Sequence, residues 1–217
     1  MPHCVAYPFS HWSTILSDAM PHDHACPRCG FLHNCICHTE PALSCDSHFV
    51  LLTHPRELGK DTNTGQLMAR SLMHCQRQIW DRVNPPQSLL DQLADPHFQP
   101  WLLFPGDETT PAPPYQLTAG KKPLVIILDA TWQEARKMVR RSPWLAALPR
   151  LELHAQPSSS YALRRNQQPG NLCTCEAGIA LLNTLGYADD SRQLQHYFDT
   201  FISVFKAEKS GHSVHPQ

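Results

Sequence analysis

Apolar positions along this chain fall into short unbroken runs that alternate with stretches of helical spacing. His48-Phe49-Val50-Leu51-Leu52-Thr53 is one such run, and the His54-Pro55 that follows predicts a strand ended by a breaker. Thr64 to Arg82 sets Leu67, Ser71, Leu72, Cys75 and Ile79 at helical intervals behind Asn63-Thr64-Gly65, so the spacing predicts a helix. Trp101-Leu102-Leu103-Phe104 predicts a second strand, stopped by Pro105-Gly106, and the Pro- and Thr-rich stretch from Glu108 to Gly120 a loop. Pro123-Leu124-Val125-Ile126-Ile127-Leu128 is the strongest strand pattern. It is apolar on both faces, which suits a central strand of a parallel sheet.

Trp132 to Arg141 then reads as a helix halted before Pro143, and Leu151-Glu152-Leu153 as a short strand. Ala155 to Asn171 is expected to be loop. Glu176 to Leu185 is expected to be a buried helix closed by Gly186, and Ser191 to Phe205 a last helix. Strands alternating with helices predict an α/β class, with a mainly parallel sheet carrying helices on both faces. Residues 1–45 show little periodicity and are read as an N-terminal extension organised by metal. Residues 46–210 form the expected main α/β domain.

The chain has 217 residues, 41% of them hydrophobic, enough for one globular α/β domain. No apolar run reaches the ~18 residues of a membrane span, and the first twenty residues do not resemble a secretion signal, so the expected location is the cytoplasm. A formal net charge of −1 argues against strong non-specific binding of nucleic acid by the whole surface. Neither a Gly-x-Gly-x-x-Gly after a strand nor a Gly-Lys-Ser/Thr is present. A dinucleotide fold and a P-loop are therefore not expected.

Four of the nine cysteines crowd into Cys26-Pro27-Arg28-Cys29 and Cys35-Ile36-Cys37. In a reducing compartment such crowding points to metal before disulfides. Two close pairs supply the four sulfurs of a tetrahedral structural zinc site, with His22, His24, His33, His38 and Cys45 near enough in sequence to exchange as ligands.

In parallel sheets, ligands bind beyond the carboxyl ends of the strands. Three segments lie at such positions: Phe104-Pro105-Gly106, Asp129-Ala130-Thr131-Trp132 and Leu172-Cys173-Thr174-Cys175-Glu176. Asp129 has two readings, a helix N-cap or a carboxylate placed for general-base work. Trp132 is either core or a π-face for a cationic ligand. Arg136 with Arg140, and Lys137 with Arg141, form two i,i+4 basic stripes that Arg164-Arg165 and Lys121-Lys122 could extend along phosphates. Glu176 suits the positive end of a helix or a ligand amine. His54-Pro55-Arg56-Glu57 reads as a turn with a local Arg–Glu pair.

Taken in order, these segments resemble the DTW-domain family, named for Asp-x-Thr-Trp, here Asp129-Ala130-Thr131-Trp132. The resemblance runs from about Cys26 to Leu185. It takes in the cysteine cluster, His54-Pro55-Arg56-Glu57, Asn63-Thr64-Gly65, Phe104-Pro105-Gly106, Tyr161-Ala162-Leu163-Arg164 and Thr174-Cys175-Glu176-Ala177. It implies a SPOUT-like fold with a C-terminal trefoil knot. The activity it implies is transfer of the 3-amino-3-carboxypropyl group of S-adenosylmethionine to N3 of a uridine in the tRNA variable loop, position 47 being the expected one, with release of 5′-methylthioadenosine.

The same resemblance makes Asp129, Thr131 and Trp132 the expected catalytic residues. It gives Leu103 to Gly106 (Leu103, Phe104, Pro105, Gly106), Leu128 to Thr131 (with Ala130), Leu172, Cys173, Thr174 and Glu176 as the cradle of the cofactor. Arg164 would meet either the cofactor carboxylate or RNA. Family members commonly have Ser where this chain has Cys173, so Glu176 is expected to be freer for a ligand or its helix start weaker. The alternatives are transfer to ribosomal RNA, methyl transfer from the same cofactor, and a zinc-ribbon RNA-binding protein without catalysis. The near-zero charge weighs against the last. Monomer and homodimer both remain open.

Overall fold

A computed structural model describes residues 25–153 and 172–210. Its centre is a five-stranded sheet built from β1 (His48–Thr53), β2 (Cys75–Ile79), β3 (Phe98–Leu103), β4 (Lys122–Asp129) and β5 (Arg150–Leu151). The order is β2-β1-β4-β3-β5 and every pairing is parallel. The expected α/β class and parallel sheet are thus observed, and the run from Pro123 to Leu128 forms the middle strand. β4 is flanked by β1 and β3, so both its faces and both its edges are covered. Such a strand favours an unbroken β-branched and Leu run over alternation.

Side chains alternate across the sheet and fill two cores. Phe49, Leu51, Trp101, Val125 and Ile127 face one side. There they meet α1 (Gly65–Ser71), α5 (Thr174–Thr184) and α6 (Ala188–Lys209). Val50, Leu52, Leu102, Leu124 and Ile126 face the other side, under α2 (Gln87–Ala94), α3 (Trp132–Arg141) and α4 (Pro143–Ala146). Helices therefore cover both faces. Gly186, with φ +91°, follows the end of α5 in the expected capping position.

The helix expected over Thr64–Arg82 is half helix and half strand. α1 ends at Ser71. Leu72 then bridges to Leu43, and Cys75–Ile79 pairs with Phe49–Thr53. Cys75 and Ile79 do continue a helical spacing, but the open edge of β1 offers this segment a full backbone ladder. Tertiary pairing overrides the local pattern. α2 was not expected at all. Its apolar face is narrow, with Leu89 its one buried residue. The expected strand at Leu151–Leu153 is Arg150–Leu151. The loop expected at Ala155–Asn171 lies outside the described residues, as does the Tyr161-to-Arg165 stretch.

The cysteine-bearing segment packs into the larger core. Phe31 sits 5.6 Å from Phe201 and 6.4 Å from Phe205 between ring centres, and Ile36 and Leu43 are buried beside them. Each such side chain contributes roughly 1.5–3 kcal/mol by burial. Glu208 on α6 also accepts the backbone N–H groups of His33 and Asn34. Among the described residues no helix is long and apolar enough to cross a membrane.

Candidate active site

Consecutive strands leave the sheet centre in opposite directions. The chain passes from β1 to β2 on one side, and from β4 to β5 on the other. The adjacent carboxyl ends of β1 and β4 are therefore a topological switch point, where open parallel sheets hold their ligands. Thr53 and Asp129 are the register partners that end these two strands.

Asp129 is 1% exposed. Its Oδ2 accepts from the Thr53 hydroxyl at 3.0 Å and from Asn63 Nδ2 at 2.9 Å, with Arg77 Nη2 at 3.5 Å. Its Oδ1 accepts from the Thr174 hydroxyl at 2.9 Å. Its backbone carbonyl accepts from His54 N–H at 3.0 Å. One carboxylate thus joins β1, the loop before α1, β2 and the start of α5. Gly65 completes the enclosure, since a Cβ there would lie 2.9 Å from the carboxyl carbon.

Asp129 is not the cap of α3. Thr131 is, because its hydroxyl accepts from Glu134 N–H while the Glu134 carboxylate accepts from Thr131 N–H at 3.1 Å and from its hydroxyl at 2.7 Å. The capping-box pattern Thr-x-x-Glu starts two residues later than the aspartate and was the signal overlooked. For Glu134, burial alone would raise the pKa, but the Thr131 donors, with His54 and Lys60 nearby, bring it below the ordinary value. With Asp129 excused from capping, its side chain is free to bind inward.

The three expected loops do meet. Trp132 is exposed on one side and stacks on Phe104 at 5.2 Å and 19°. Arg136 lies 5.9 Å from the Trp132 ring centre, and the Arg150 guanidinium lies 5.0 Å from that of Phe104. Thr174, at the head of the third loop, reaches Asp129 directly. Cys175 N–H donates to the Thr64 hydroxyl at 3.2 Å. Leu103, Leu128, Ala130 and Leu172 sit in the same three segments, partly buried, and Pro105 is exposed.

These loops are also held from within, and one expectation about them changes. Gly106 is required by its own loop, since a Cβ would fall 2.4 Å from Ala112 N. Its N–H donates to Glu152 at 3.2 Å. Glu176 is not freed by Cys173, because its carboxylate accepts from Cys173 N–H at 2.9 Å and is 7% exposed. That half of a capping box needs only the backbone of the cap residue, so cysteine does not disturb it. Thr53, Asn63 and Arg77 were not singled out as partners of Asp129. Arg77 lay inside the expected helix, Thr53 meets Asp129 through the parallel register, and Asn63 reaches it from the loop before α1.

Cys26, Cys29, Cys35 and Cys37 bring their sulfurs within 4.8 Å of one another, a group that could hold a metal ion. Cys26–Cys37, Cys29–Cys35 and Cys26–Cys35 are 3.7, 3.8 and 3.7 Å apart. A tetrahedron with zinc–sulfur bonds of ~2.3 Å has edges of about 3.8 Å, so the four sulfurs fit such an ion. Backbone N–H groups of Cys29 and Arg28 draw the Cys26 thiol down to about 6. Cys45, His33 and His38 are not in the group, and His22 and His24 lie outside the described residues.

Arg136, Lys137, Arg140 and Arg141 are all exposed along α3, which leads away from the switch point. Arg164 and Arg165 lie outside the described residues. Lys121 and Lys122 lie away from the switch point. Lys122 begins β4 and Asp129 ends it, so at about 3.3 Å per residue they are roughly 23 Å apart, at opposite ends of the middle strand.

The family description "DTW domain" matches residues 23–206. Two curated relatives are each called tRNA-uridine aminocarboxypropyltransferase 2. The one from Drosophila melanogaster is 27% identical over 157 residues, covering 70% of this chain and 62% of the relative. The one from Macaca fascicularis is 27% identical over 168 residues, covering 74% of this chain and 56% of the relative. The match thus spans little more than half the length of these relatives. No solved structure gives a significant match.

Proposed function

The chain belongs to the DTW-domain family, and from that premise we propose that it transfers the 3-amino-3-carboxypropyl group of S-adenosylmethionine to N3 of a uridine in tRNA. A uridine of the variable loop, at position 47, is the proposed acceptor. The observation that carries this reading is the convergence of two family segments on one buried carboxylate. Asp129 and Thr174 meet at the switch point of the sheet, where the family's donor would be bound. The names of the two relatives support the same chemistry.

In the proposed reaction, N3 attacks the arm carbon next to sulfur. The N3–carbon bond forms as the carbon–sulfur bond breaks, and the electron pair stays on sulfur. Neutral methylthioadenosine leaves, and the N3 proton passes to a base. The sulfonium already makes the carbon electrophilic, so the chain's work is geometric. It must hold the attacking and attacked atoms ~3–3.5 Å apart and in line. Residues 103–106, 128–131 and 172–174 are proposed to cradle the donor, with Glu176 supporting the third loop. Trp132 and the α3 stripe are proposed to face the RNA.

Asp129 keeps a catalytic assignment in this proposal, with an altered emphasis. Its carboxylate already accepts three hydrogen bonds and is almost fully enclosed. Its first role is then to fix the loops that form the cradle. Proton removal from N3 requires one of those bonds to open toward the substrate. Thr131 acts by fixing the start of α3. Zinc at the four cysteines is proposed as a structural element that ties the 26–37 segment to α6. A SPOUT-like relation with a knotted C-terminal part, and a reducing cytoplasmic setting in which the cysteines stay free, belong to the same reading.

Donor labelled separately in its methyl group and in its aminocarboxypropyl arm tests the reading. Arm label should enter RNA while methyl label stays in the small-molecule fraction. Entry of methyl label would replace it with methyl transfer.

A further inference from the structure

Among the described residues, Arg150 is a buried cation without a counter-ion. It opens β5 opposite Leu102, on the sheet face shared with Phe104. The residue is 3% exposed, and its Nε and Nη1 have no hydrogen-bond partner among the described residues. No ion pair to it occurs among them either. The stretch that follows, 154–171, contains no Asp or Glu. Asp107 acts on it only from beyond ion-pair distance. Burial presses the guanidinium toward its neutral form, and the Asp107 charge opposes this in part.

A guanidinium keeps its charge in proteins, so an enclosed one with open donors is costly unless an anion meets it. Its position says where that anion would come from. The guanidinium lies 5.0 Å from the centre of the Phe104 ring, and Phe104 stacks on Trp132. Arg150 therefore lies beneath the first two donor-binding loops, inward of the exposed stripe on α3. A phosphate of a large RNA would have to enter this enclosure, whereas a small carboxylate fits a planar guanidinium with two parallel N–H bonds.

We infer that Arg150 receives the carboxylate of the donor's aminocarboxypropyl arm, an inference that rests on the transferase reading above. The carboxylate remains on the group that is transferred. Fixing it next to Phe104 determines which of the three carbons on sulfur faces the acceptor. Arg150 is then a specificity-determining residue, favouring transfer of the arm over transfer of the methyl group.

The test compares three ligands by calorimetry on the full chain. S-adenosylmethionine carries the arm, S-adenosylhomocysteine carries the arm without the sulfonium charge, and methylthioadenosine carries no arm. Arg150→Met should weaken the first two by ~10- to 100-fold, the worth of a hydrogen-bonded charge, and leave methylthioadenosine unchanged. Arg150→Lys should recover part of the loss. Unchanged binding of methylthioadenosine also reports that the variant is folded. Equal loss for all three ligands, or no loss for any, overturns the inference and leaves the transferase reading standing. Failure of the wild-type chain to bind S-adenosylmethionine overturns both.

Discussion

Thr53 and Asp129 end neighbouring parallel strands in register, and the Thr53 hydroxyl donates to Asp129 Oδ2 at 3.0 Å. The bond ties the carboxyl ends of β1 and β4 together at the point where the chain diverges. Asn63, Thr174 and Arg77 close around the same carboxylate. Asp129→Asn keeps the shape but removes the charge beside Arg77 and replaces one acceptor oxygen with a donor, which opposes the Asn63 amide where it takes the place of Oδ2. The expected cost is about 1–3 kcal/mol of stability, seen as a lower Tm, together with weaker donor binding. A variant with wild-type Tm and donor affinity but no product would instead make Asp129 a base alone.

Gly65 offers a sharper reading of the same enclosure. Glycine to alanine inside a helix ordinarily stabilises by ~0.5–1 kcal/mol. Here the added Cβ would lie 2.9 Å from both Cγ and Oδ1 of Asp129. The carboxylate is held by three short hydrogen bonds and has no direction of retreat. Gly65→Ala should therefore lower stability by roughly 1–3 kcal/mol and reduce transfer. Thermal melts and product assays on the one variant check both, and a stabilised, active Gly65→Ala would contradict the described packing.

The two lysine and arginine groups now separate. Removing Arg140 and Arg141 from α3 should lower the slope of log affinity against log salt for tRNA by roughly 0.7–0.9 per lost phosphate contact. Removing Lys121 and Lys122, at the other end of β4 from Asp129, should leave the slope unchanged. Filter binding over a salt series distinguishes them, and the reverse pattern would place the RNA at the amino ends of the strands.

The four sulfurs predict one bound metal ion per chain, released by thiol-modifying reagents and counted with a colorimetric chelator. Because Phe31, Ile36 and Leu43 belong to the larger core, removal of the ion should lower Tm for the whole domain. A separate low-temperature transition, with the main one unmoved, would show that the segment folds on its own.

Much of this was readable along the chain. The β1 and β4 runs, the helix from Trp132 to Arg141 and the four-cysteine group stand where their patterns put them, because each is specified by neighbours close in sequence. β2 was hidden because Cys75 and Ile79 prolong the helical spacing of Leu67 and Ser71. Only the open edge of β1 makes that segment a strand. The partners of Asp129 were hidden for a related reason. Thr53, Asn63, Arg77 and Thr174 are spread over more than a hundred residues; parallel pairing brings Thr53 and Arg77 to the carboxylate, and the packing of the loop before α1 and of α5 brings Asn63 and Thr174. Arg150 was equally invisible, since an arginine in sequence carries no sign of being enclosed without a counter-ion.

The central claim is the transfer itself. Unmodified tRNA incubated with the chain and S-adenosylmethionine, then digested to nucleosides for mass spectrometry, tests it most directly. The account predicts an aminocarboxypropyl-uridine formed in step with methylthioadenosine, and its loss with Asp129→Asn. Unmodified uridine throughout, or a methylated nucleoside accompanied by S-adenosylhomocysteine, would contradict it.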